Sequence, residues 1–398
     1  MRLPRCEVLS LVSLVVACNG IVNWSELQRG ATPGQAEPSG IAGRVEVSLG
    51  IKHACATLAD FSIACWGANE HGQLGLGHTD RVLVPTRVPN VRDVRFLSVG
   101  RAHTCVVSGD GEVSCWGSNE SAQLGIGPAD SIPHPEPQRV GCSKAKKVQA
   151  SKGHTCIETL TKTAECWGAN QFGQLGDGTT TQRSEPTRLP GLTGIEKLSA
   201  GDGDFTCAVA SNPAGGDAVY CWGLNDKGQI GQPLTTTSNP TPTIVAGITD
   251  PDKVFIGVEH ACATLSDTTV ECWGSNEHGQ LGDGTSATRF TPAKVKGVIG
   301  MTEVAPGVAH TCGTENAAGV TKCWGSNEHG QIGLGEVGGD RLSPTRIAGE
   351  GWETVTADGD SSCGTRGTTT YCWGRNDEGQ LGDGTTEDRS EPTPLAQR

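Results

Sequence analysis

The sequence predicts an all-β protein: a seven-bladed β-propeller built from seven repeats of about 51 residues, with one disulfide per blade. Three observations predict this fold class. The tripeptide Cys-Trp-Gly recurs seven times, short stretches of alternating apolar and polar residues flank each copy, and the chain holds 57 glycines and 21 prolines among 398 residues. Because helices disfavour both glycine and proline, this composition is typical of a turn-dense β protein.

The first 17 residues have the features of a signal peptide. Arg2 and Arg5 precede a short apolar run, residues 8–17, that is too brief to span a bilayer. The run leads into Cys18 through Val-Val-Ala, which is similar to a bacterial lipobox, so cleavage before Cys18 and lipidation of that cysteine are expected. An ordinary signal peptide is the alternative. Residues 18–43 follow as a flexible tether rich in Pro, Gly and Ser, and the folded domain is expected over residues 44–398.

The folded part consists of seven copies of one repeat. The cysteine of Cys-Trp-Gly stands at 65, 115, 166, 221, 272, 323 and 372. Each copy runs from a β-rich stretch through His-x-Cys, a polar turn and Cys-Trp-Gly to a glycine-rich segment and a final Pro-Thr. Strands around turns such as Gly-Asp-Gly at 109–111 predict hairpins, and three or four strands per copy form one blade. A closed ring of seven blades is favoured over an open solenoid, which needs atypical capping repeats at its ends.

The repeat resembles a known family. "CWGSNEHGQLGDGT" at 272–285, with a His-x-Cys segment before it, is similar to the repeats of the regulator of chromosome condensation family, whose members are seven-bladed β-propellers. The resemblance covers about residues 44–395 and all seven copies. Kelch and WD repeats carry different signatures and do not fit. The resemblance implies guanine-nucleotide exchange on a small GTPase, together with chromatin binding, as one functional hypothesis.

Residues kept in every copy are predicted to build the scaffold. A Trp repeated once per blade suits the gap between adjacent sheets, although seven aromatic rings could instead form a ligand cage. The glycines are expected at turns with positive φ, because a phosphate-binding loop would need a following helix and a Lys before Ser or Thr. The seven tryptophans are Trp66, Trp116, Trp167, Trp222, Trp273, Trp324 and Trp373.

The cysteines pair within copies. A spacing near ten residues across a hairpin places two cysteines opposite each other on adjacent strands, which predicts disulfides; buried free thiols are the alternative. The expected pairs are Cys55 with Cys65, Cys105 with Cys115, Cys156 with Cys166, Cys207 with Cys221, Cys262 with Cys272, Cys312 with Cys323, and Cys363 with Cys372. Cys6 would leave with the signal peptide, and Cys142 has no assigned partner.

The recurrent His-x-Cys pattern raises the possibility of zinc. Five copies carry the histidine, but Phe205 and Ser361 replace it in copies four and seven, which suits a packing position better than a ligand. No metal site and no cofactor are expected. No catalytic motif stands out either, so we expect a protein that is not an enzyme.

The residues just before each His-x-Cys vary from copy to copy, and they are the candidate partner-binding residues. Copies one to three are basic there, copies four, five and seven are acidic, and copy six is neutral. A face with such a divided charge would steer one protein partner, whereas random drift of exposed residues is the alternative. The candidates are Lys52, Arg101, Lys152, Asp202, Asp204, Glu259, Asp358 and Asp360. Insertions at 127–147, 211–220 and 231–240 are further candidate recognition sites.

The formal charge of −13 opposes binding to nucleic acid or to an anionic membrane surface. The sequence therefore predicts an exported, monomeric, non-enzymatic propeller at the bacterial cell envelope or outside the cell. It would touch the membrane only through its lipid and would bind an unidentified protein. The alternatives are the exchange factor implied by the resemblance and a secreted enzyme inhibitor, since secreted bacterial propellers similar to this family include β-lactamase inhibitors.

Overall fold

The computed structural model describes residues 46–141, 143–315 and 319–396. Over this part the chain forms seven four-stranded antiparallel sheets, each made of four consecutive strands. The predicted seven-bladed, all-β propeller is confirmed. No helix within the described ranges is long and apolar enough to cross a membrane. The predicted signal peptide, lipidation site Cys18 and tether, together with Cys6 and Cys142, lie outside the described residues.

The strands are numbered β1 to β28, four to a blade, from the axis outwards. The innermost strands are β1 (Glu46–Leu49), β5 (Val94–Val99), β9 (Ala145–Ala150), β13 (Lys197–Ser199), β17 (Pro251–Ile256), β21 (Met301–Pro306) and β25 (Thr354–Asp358). The second strands are β2 (His53–Thr57), β6 (His103–Ser108), β10 (His154–Thr159), β14 (Phe205–Ser211), β18 (His260–Leu265), β22 (His310–Glu315) and β26 (Ser361–Arg366). The third strands are β3 (Ile63–Gly67), β7 (Val113–Asn119), β11 (Ala164–Gly168), β15 (Asp217–Leu224), β19 (Val270–Gly274), β23 (Val320–Gly325) and β27 (Thr369–Gly374). The outer strands are β4 (Val82–Arg87), β8 (Asp130–Arg139), β12 (Arg183–Arg188), β16 (Ser238–Ile244), β20 (Arg289–Lys294), β24 (Arg341–Arg346) and β28 (Arg389–Pro394).

The recurring tryptophans fill the gaps between blades. Each of the seven is fully buried, and each indole donates a hydrogen bond to a main-chain carbonyl in the preceding blade. In blade 6, Trp324 donates to the Gln280 carbonyl at 2.9 Å. Gly282 stands beside that indole with φ +66°, and a Cβ atom on it would lie 2.7 Å from Trp324 Nε1. The glycine-rich segment therefore receives a tryptophan of this chain, and the scaffold interpretation of the tryptophans is confirmed.

The ring closes by packing of the last blade against the first. Trp66 of blade 1 donates to the Gln380 carbonyl of blade 7 at 2.9 Å and packs in one apolar cluster with Cys363, Cys372 and Leu381. Burying one such ring contributes about 4–6 kcal/mol, taking 150–250 Å² at 25 cal/mol/Å². Since every sheet consists of consecutive strands, no strand is exchanged between the two ends of the described chain.

The seven predicted disulfides are confirmed, one in each blade. Each joins the second strand to the third at directly facing positions, where the Cα atoms are 4.1–4.2 Å apart. This distance fits the close, non-hydrogen-bonded position of an antiparallel ladder. In the chain-entropy model a closed loop of about ten residues stabilises the fold by about 2.5–3 kcal/mol. The bonded pairs are Cys55 with Cys65, Cys105 with Cys115, Cys156 with Cys166, Cys207 with Cys221, Cys262 with Cys272, Cys312 with Cys323, and Cys363 with Cys372.

The alternative of buried free thiols is therefore excluded for these fourteen cysteines. All fourteen are nonetheless buried in the apolar clusters of their blades, with exposed fractions of 0–1%. The blade 4 pair, Cys207 and Cys221, is separated by 14 residues in place of the usual ten, because the second insertion lengthens its hairpin. The two strands there extend in register as far as Ser211 and Asp217. The insertion thus lies beyond the disulfide and leaves its position in the ladder unchanged.

The histidines of His-x-Cys link one blade to the next. In blade 2, His103 Nε2 lies 2.9 Å from Thr155 Oγ1 of blade 3, and Thr155 donates its hydroxyl hydrogen to the Gln123 carbonyl at 2.7 Å. Because that hydroxyl has only one hydrogen, it must accept from His103, which assigns the proton to Nε2. The same relay starts at each of the five histidines, namely His53, His103, His154, His260 and His310.

The two blades without this histidine also lack its partner. Phe205 of blade 4 faces blade 5, where Ala261 replaces the threonine, and the two residues pack in one apolar cluster. Ser361 of blade 7 faces blade 1, where the corresponding residue is Ala54. Ser361 instead donates to the Arg375 carbonyl of its own blade at 2.8 Å. Donor and acceptor are thus lost together at these two interfaces, as expected for a packing pair.

Candidate functional site

The variable turns before the second strands meet at one end of the central channel. We call them the axial turns, and they comprise residues 50–52, 100–102, 151–153, 201–204, 257–259, 307–309 and 358–360. Main-chain hydrogen bonds join several of them: Arg101 N donates to the Ser151 carbonyl at 3.2 Å, and Val308 N donates to the Gly359 carbonyl at 2.9 Å. The structure therefore brings the candidate partner-binding residues to one face.

Close approach between neighbouring axial turns explains the glycine that begins most of them. A Cβ atom on Gly50 would lie 2.4 Å from the Gly100 carbonyl oxygen, and one on Gly257 would lie 2.3 Å from the Gly307 carbonyl oxygen. Real Cβ atoms do not approach an oxygen so closely, so a side chain here would push the blades apart. The main chain of this face is consequently fixed, and the variation is confined to the residues that follow the glycine.

Much of the divided charge is neutralised within the chain. Lys152 Nζ lies 2.7 Å from Asp204 Oδ2, which joins the basic blade 3 to the acidic blade 4. Lys52 Nζ lies 3.2 Å from Glu378 Oε1 in the neighbouring blade 7. Asp360 is paired with Arg375 at 3.6 Å. These ion pairs reduce the contrast between the two halves of the face that the sequence suggests.

Asp202 is buried instead of exposed. The residue is only 2% exposed, and neither of its carboxylate oxygens has a hydrogen-bond partner among the described residues. Burial raises the pKa of Asp202 to about 7; Arg101 and Lys152 oppose the rise, and Asp204 adds to it. Burial also raises the pKa of Asp358, and the nearby Asp202 adds to that effect. The two carboxyl groups therefore hold protons more readily than ordinary surface acids.

Arg101 and Glu259 remain as charges available to a partner. Arg101 is exposed and makes no side-chain hydrogen bond or ion pair within the described residues. Glu259 is half-buried and likewise forms no such bond there, although its charge acts on Lys227. The face thus offers a free cation on blade 2 and a free carboxylate on blade 5.

The insertions lie outwards of the axial turns along the blades, and the third lies at the same end of blade 4 as its axial turn. The first contributes β8, the ten-residue outer strand of blade 2, and Asp130 within it pairs with His134 at 3.0 Å. The second lengthens the hairpin between β14 and β15, where Asn212 and Gly216 close the turn. The third is an irregular loop before β16. These segments therefore reshape the outer parts of blades 2 and 4.

The repeated histidines and glycines form no chemical site in the described structure. Burial lowers the pKa of each of the five relay histidines to about 3, with a neighbouring histidine adding to the effect at three of them. The rings are therefore neutral and enclosed. Across the described ranges, no group of three or more His, Cys, Asp or Glu side chains is placed to hold a metal ion.

The chain is similar in sequence to proteins of known name. The ultraviolet-B receptor UVR8 of Arabidopsis thaliana is 29% identical over 331 residues, which cover 79% of this chain and 59% of the receptor. The probable E3 ubiquitin-protein ligase HERC4 of Homo sapiens is 30% identical over 209 residues, 51% of this chain and 19% of the ligase. The chain thus spans less than two thirds of the length of these relatives.

Solved structures show the same fold. Prp20p from Saccharomyces cerevisiae, a protein characterised for its binding to Gsp1p and histones, superimposes with a TM-score of 0.70 at 20% identity, over 84% of this chain and 85% of that one. The model of the RCC1-like domain matches residues 18–313, and that of the regulator of chromosome condensation (RCC1) repeat matches residues 369–397. Since the first of these covers most of the chain, which also closes into seven blades of this repeat, the protein belongs to the RCC1-like family of β-propellers.

Proposed function

We propose that this chain is a non-enzymatic propeller that binds a protein partner through the face formed by the axial turns. One observation carries the proposal. The residues that recur in every blade are buried and pack between and within blades. The axial turns, in contrast, differ from blade to blade and lie on one face. Variable loops on a rigid scaffold are where propellers and other repeat proteins carry recognition.

The placement of the side chains that could act in catalysis favours a binding function over an enzymatic one. The relay histidines are enclosed and neutral, so their imidazoles do not reach a substrate. Asp202 is buried beneath the face, and Asp204 is held by Lys152. Arg101 and Glu259 are charges suited to recognition, and the described face places no base beside a nucleophile.

Export to an oxidising compartment is part of the proposal. Seven disulfides in one chain are typical of extracellular or periplasmic proteins, because cytosolic thiols are kept reduced. We further propose that the chain is anchored at the bacterial envelope by a lipid on Cys18 and has no other contact with the membrane. We also propose that it is a monomer. A fusion of residues 1–43 to a reporter that is active only after export tests the location, and replacing Cys18 with Ser separates lipidation from simple cleavage.

A thiol count tests the redox state directly. The fourteen paired cysteines should react with a thiol reagent only after unfolding in the presence of a reductant. Fourteen reactive thiols after unfolding without reductant, in protein taken from its native host, would contradict export.

The exchange-factor and inhibitor alternatives predict different partners. Prp20p binds Gsp1p and histones, but at 20% identity the likeness to it supports the fold alone. An inhibitor would bind a secreted enzyme tightly and lower its turnover. Acceleration of nucleotide release from a GTPase by the purified chain would favour the first alternative, and loss of enzyme turnover on complex formation would favour the second.

Charge reversal tests which face binds. Arg101→Glu changes an exposed cation that has no bond within the described chain, whereas reversing Lys52 or Lys152 would also break an internal ion pair. We expect Arg101→Glu to reduce partner capture by about tenfold, in line with the loss of a charge pair at an interface. Arg92→Glu is the matched control, since Arg92 is exposed on the loop at the other end of the channel. Equal capture by both variants would exclude the axial face.

A further inference from the structure

A groove lies between blades 1 and 2, at the opposite end of the channel from the axial turns. Strand β1 runs from Glu46 towards the axial turn at Gly50, so Glu46 marks this opposite end. The groove has a volume of about 670 Å³, which falls within the range of small-molecule sites. It is lined on its walls by Val47, Leu58, Phe61, Val94, Phe96 and Leu97.

The walls are mostly apolar, with Thr57 and Arg95 among them, and they are open to solvent. Phe61 is 46% exposed, and Phe96 and Leu97 are half-buried. Phe61 also adopts φ +58°, a backbone conformation that costs free energy for a residue other than glycine. The Arg95 guanidinium covers one face of its ring, 4.3 Å from the ring centroid. Two aromatic rings on an exposed concave wall are suited to an apolar or aromatic ligand body.

The floor of the groove is polar and continues into the central channel. Ser48, Ser98, Gln149 and Thr356 line both the groove and the channel, whose volume is about 240 Å³. The Gln149 amide and the Thr356 hydroxyl form no hydrogen bond with any described residue. Ser98 accepts a hydrogen bond from Ala150 N at 2.9 Å, which leaves its hydroxyl hydrogen available to a ligand. Hydrogen-bond donors therefore converge at the base of an apolar groove.

Positive charge lies on the wall and beside the same floor. Arg95 lines the groove and is paired with Asp93 at 2.6 Å, whereas Lys147 lies outside the lining, next to Phe96. Lys147 Nζ is 5.7 Å from the centroid of the Phe96 ring and has no carboxylate partner among the described residues. Lys147 stands on its innermost strand two residues before Gln149, which lines the channel. Lys197 and Lys253 hold the equivalent positions on the innermost strands of blades 4 and 5. Lys253 is neutralised by Glu303 at 3.1 Å, so of these three described lysines Lys147 and Lys197 are left unpaired.

The electrostatic environment of Lys197 agrees with an unneutralised cluster. Burial lowers the pKa of Lys197 to about 8, and repulsion from Lys147 adds to this, while Glu158 and Glu303 act in the opposite direction. A lysine that yields its proton more readily than usual lies where an anion would be stabilised.

We propose that the groove between blades 1 and 2 binds a small organic anion, with an apolar or aromatic body against Phe61 and Phe96 and its anionic group directed at Lys147. The polar floor hydrogen-bonds the same anionic group. This site is separate from the axial face and does not depend on the function proposed for that face. Glu46 lies at the exposed rim and opposes anion entry.

Anilinonaphthalene sulfonate, an aromatic anion, is a suitable probe. Titration of the full chain followed by fluorescence should give one saturable site per chain, displaced by a medium-chain fatty carboxylate. Lys147→Gln should weaken binding by about tenfold, the loss expected for a charge-assisted contact. Lys146→Gln is the matched control, because the neighbouring Lys146 is exposed and its side chain alternates to the other side of β9. Glu46→Gln should tighten binding.

Three results would overturn the proposal. They are equal affinities of the Lys147 and Lys146 variants, an uncharged phenylnaphthylamine analogue that binds as tightly as the anion, and binding without saturation. Phe96→Ala should weaken both the charged and the uncharged probe, and circular dichroism of that variant checks that the blades remain folded. If Phe96→Ala stays folded and binds as the native chain does, the assigned wall is wrong.

Discussion

The relay between His103 and Thr155 can be tested with a double-mutant cycle that copies a substitution pattern already present in the chain. Thr155→Ala leaves the His103 N–H buried without an acceptor, which costs about 1–3 kcal/mol. His103→Phe removes the donor and adds volume in a close-packed interface, with a cost of about 1–3 kcal/mol. Combining them recreates the pair of Phe205 and Ala261 between blades 4 and 5, where both polar groups are absent.

The expected coupling is large enough to measure. The double variant should be more stable than the sum of the single variants by about 1–2 kcal/mol, because the unsatisfied N–H and the excess volume disappear together. Urea unfolding followed by tryptophan fluorescence, without reductant, gives the four free energies. His103→Phe combined with Thr311→Ala is the control, since these residues belong to different interfaces and should be additive. Additivity of the His103 and Thr155 substitutions within about 0.3 kcal/mol would refute the relay as an energetic unit.

Three further predictions concern pH and backbone strain. The five relay histidines have a folded pKa of about 3, below the value of 6.5 for the unfolded chain, so their stabilisation is complete above pH 6.5 and is lost as the pH falls towards 3. Between these two pH values the free energy of unfolding should drop by up to about 7 kcal/mol per pH unit, because unfolding takes up as many as five protons. Urea titrations at several pH values measure this slope, and uptake of only about one proton would contradict the prediction. Asp202 has a folded pKa of about 7, above its usual 3.8, so its favourable contribution is present at low pH and lost as the pH rises to 7; Asp202→Asn should therefore unfold at higher urea than the native chain at pH 8 and lose that advantage near pH 4. Ala122 holds φ +59° at a position where other blades have glycine, so Ala122→Gly should stabilise the fold by up to about 1 kcal/mol in the same assay, whereas destabilisation would show that its methyl packing outweighs the strain.

The fold could be predicted because the chain repeats one unit seven times. The recurrence of tryptophan and of paired cysteines supplied the comparison that a set of homologues normally supplies. Ala122 stands in copy two where the other copies have glycine, which suggests a less demanding position, but its backbone is left-handed as in the other blades. The substitution changed the strain while leaving the loop geometry intact.

The candidate site could be located but not described from sequence. The axial turns vary, and the structure places them together, yet Asp202 is buried, in a turn of blade 4 that has one more residue before its second strand than that of blade 5. Ion pairs such as the one between Lys152 and Asp204 cross between blades and depend on distances that no local pattern encodes. The groove between blades 1 and 2 is likewise a gap between repeats.

The relay itself left a signal in the sequence. The residue just before the first cysteine of each blade faces the histidine position of the preceding blade. Where Phe205 replaces the histidine, the facing residue is Ala261, and where Ser361 replaces it, the facing residue is Ala54, in place of the usual threonine or serine. Recognising this requires knowing that each blade packs on the next in the same register. The packing of each blade on the next is visible only in the folded ring of seven blades.

The two interfaces without a relay divide the ring into two arcs of different make-up. Blades 1 to 4 are joined to one another by three polar relays and blades 5 to 7 by two. At the two seams between the arcs apolar packing replaces the relay, while the indole hydrogen bonds and ion pairs such as that of Lys52 with Glu378 remain. Apolar contacts tolerate small displacements, whereas buried hydrogen bonds fix distance and angle. The propeller therefore has two interfaces with one buried polar link fewer than the other five, and we expect slow opening of the ring to begin at one of these two, of which the covalent chain crosses only that between blades 4 and 5.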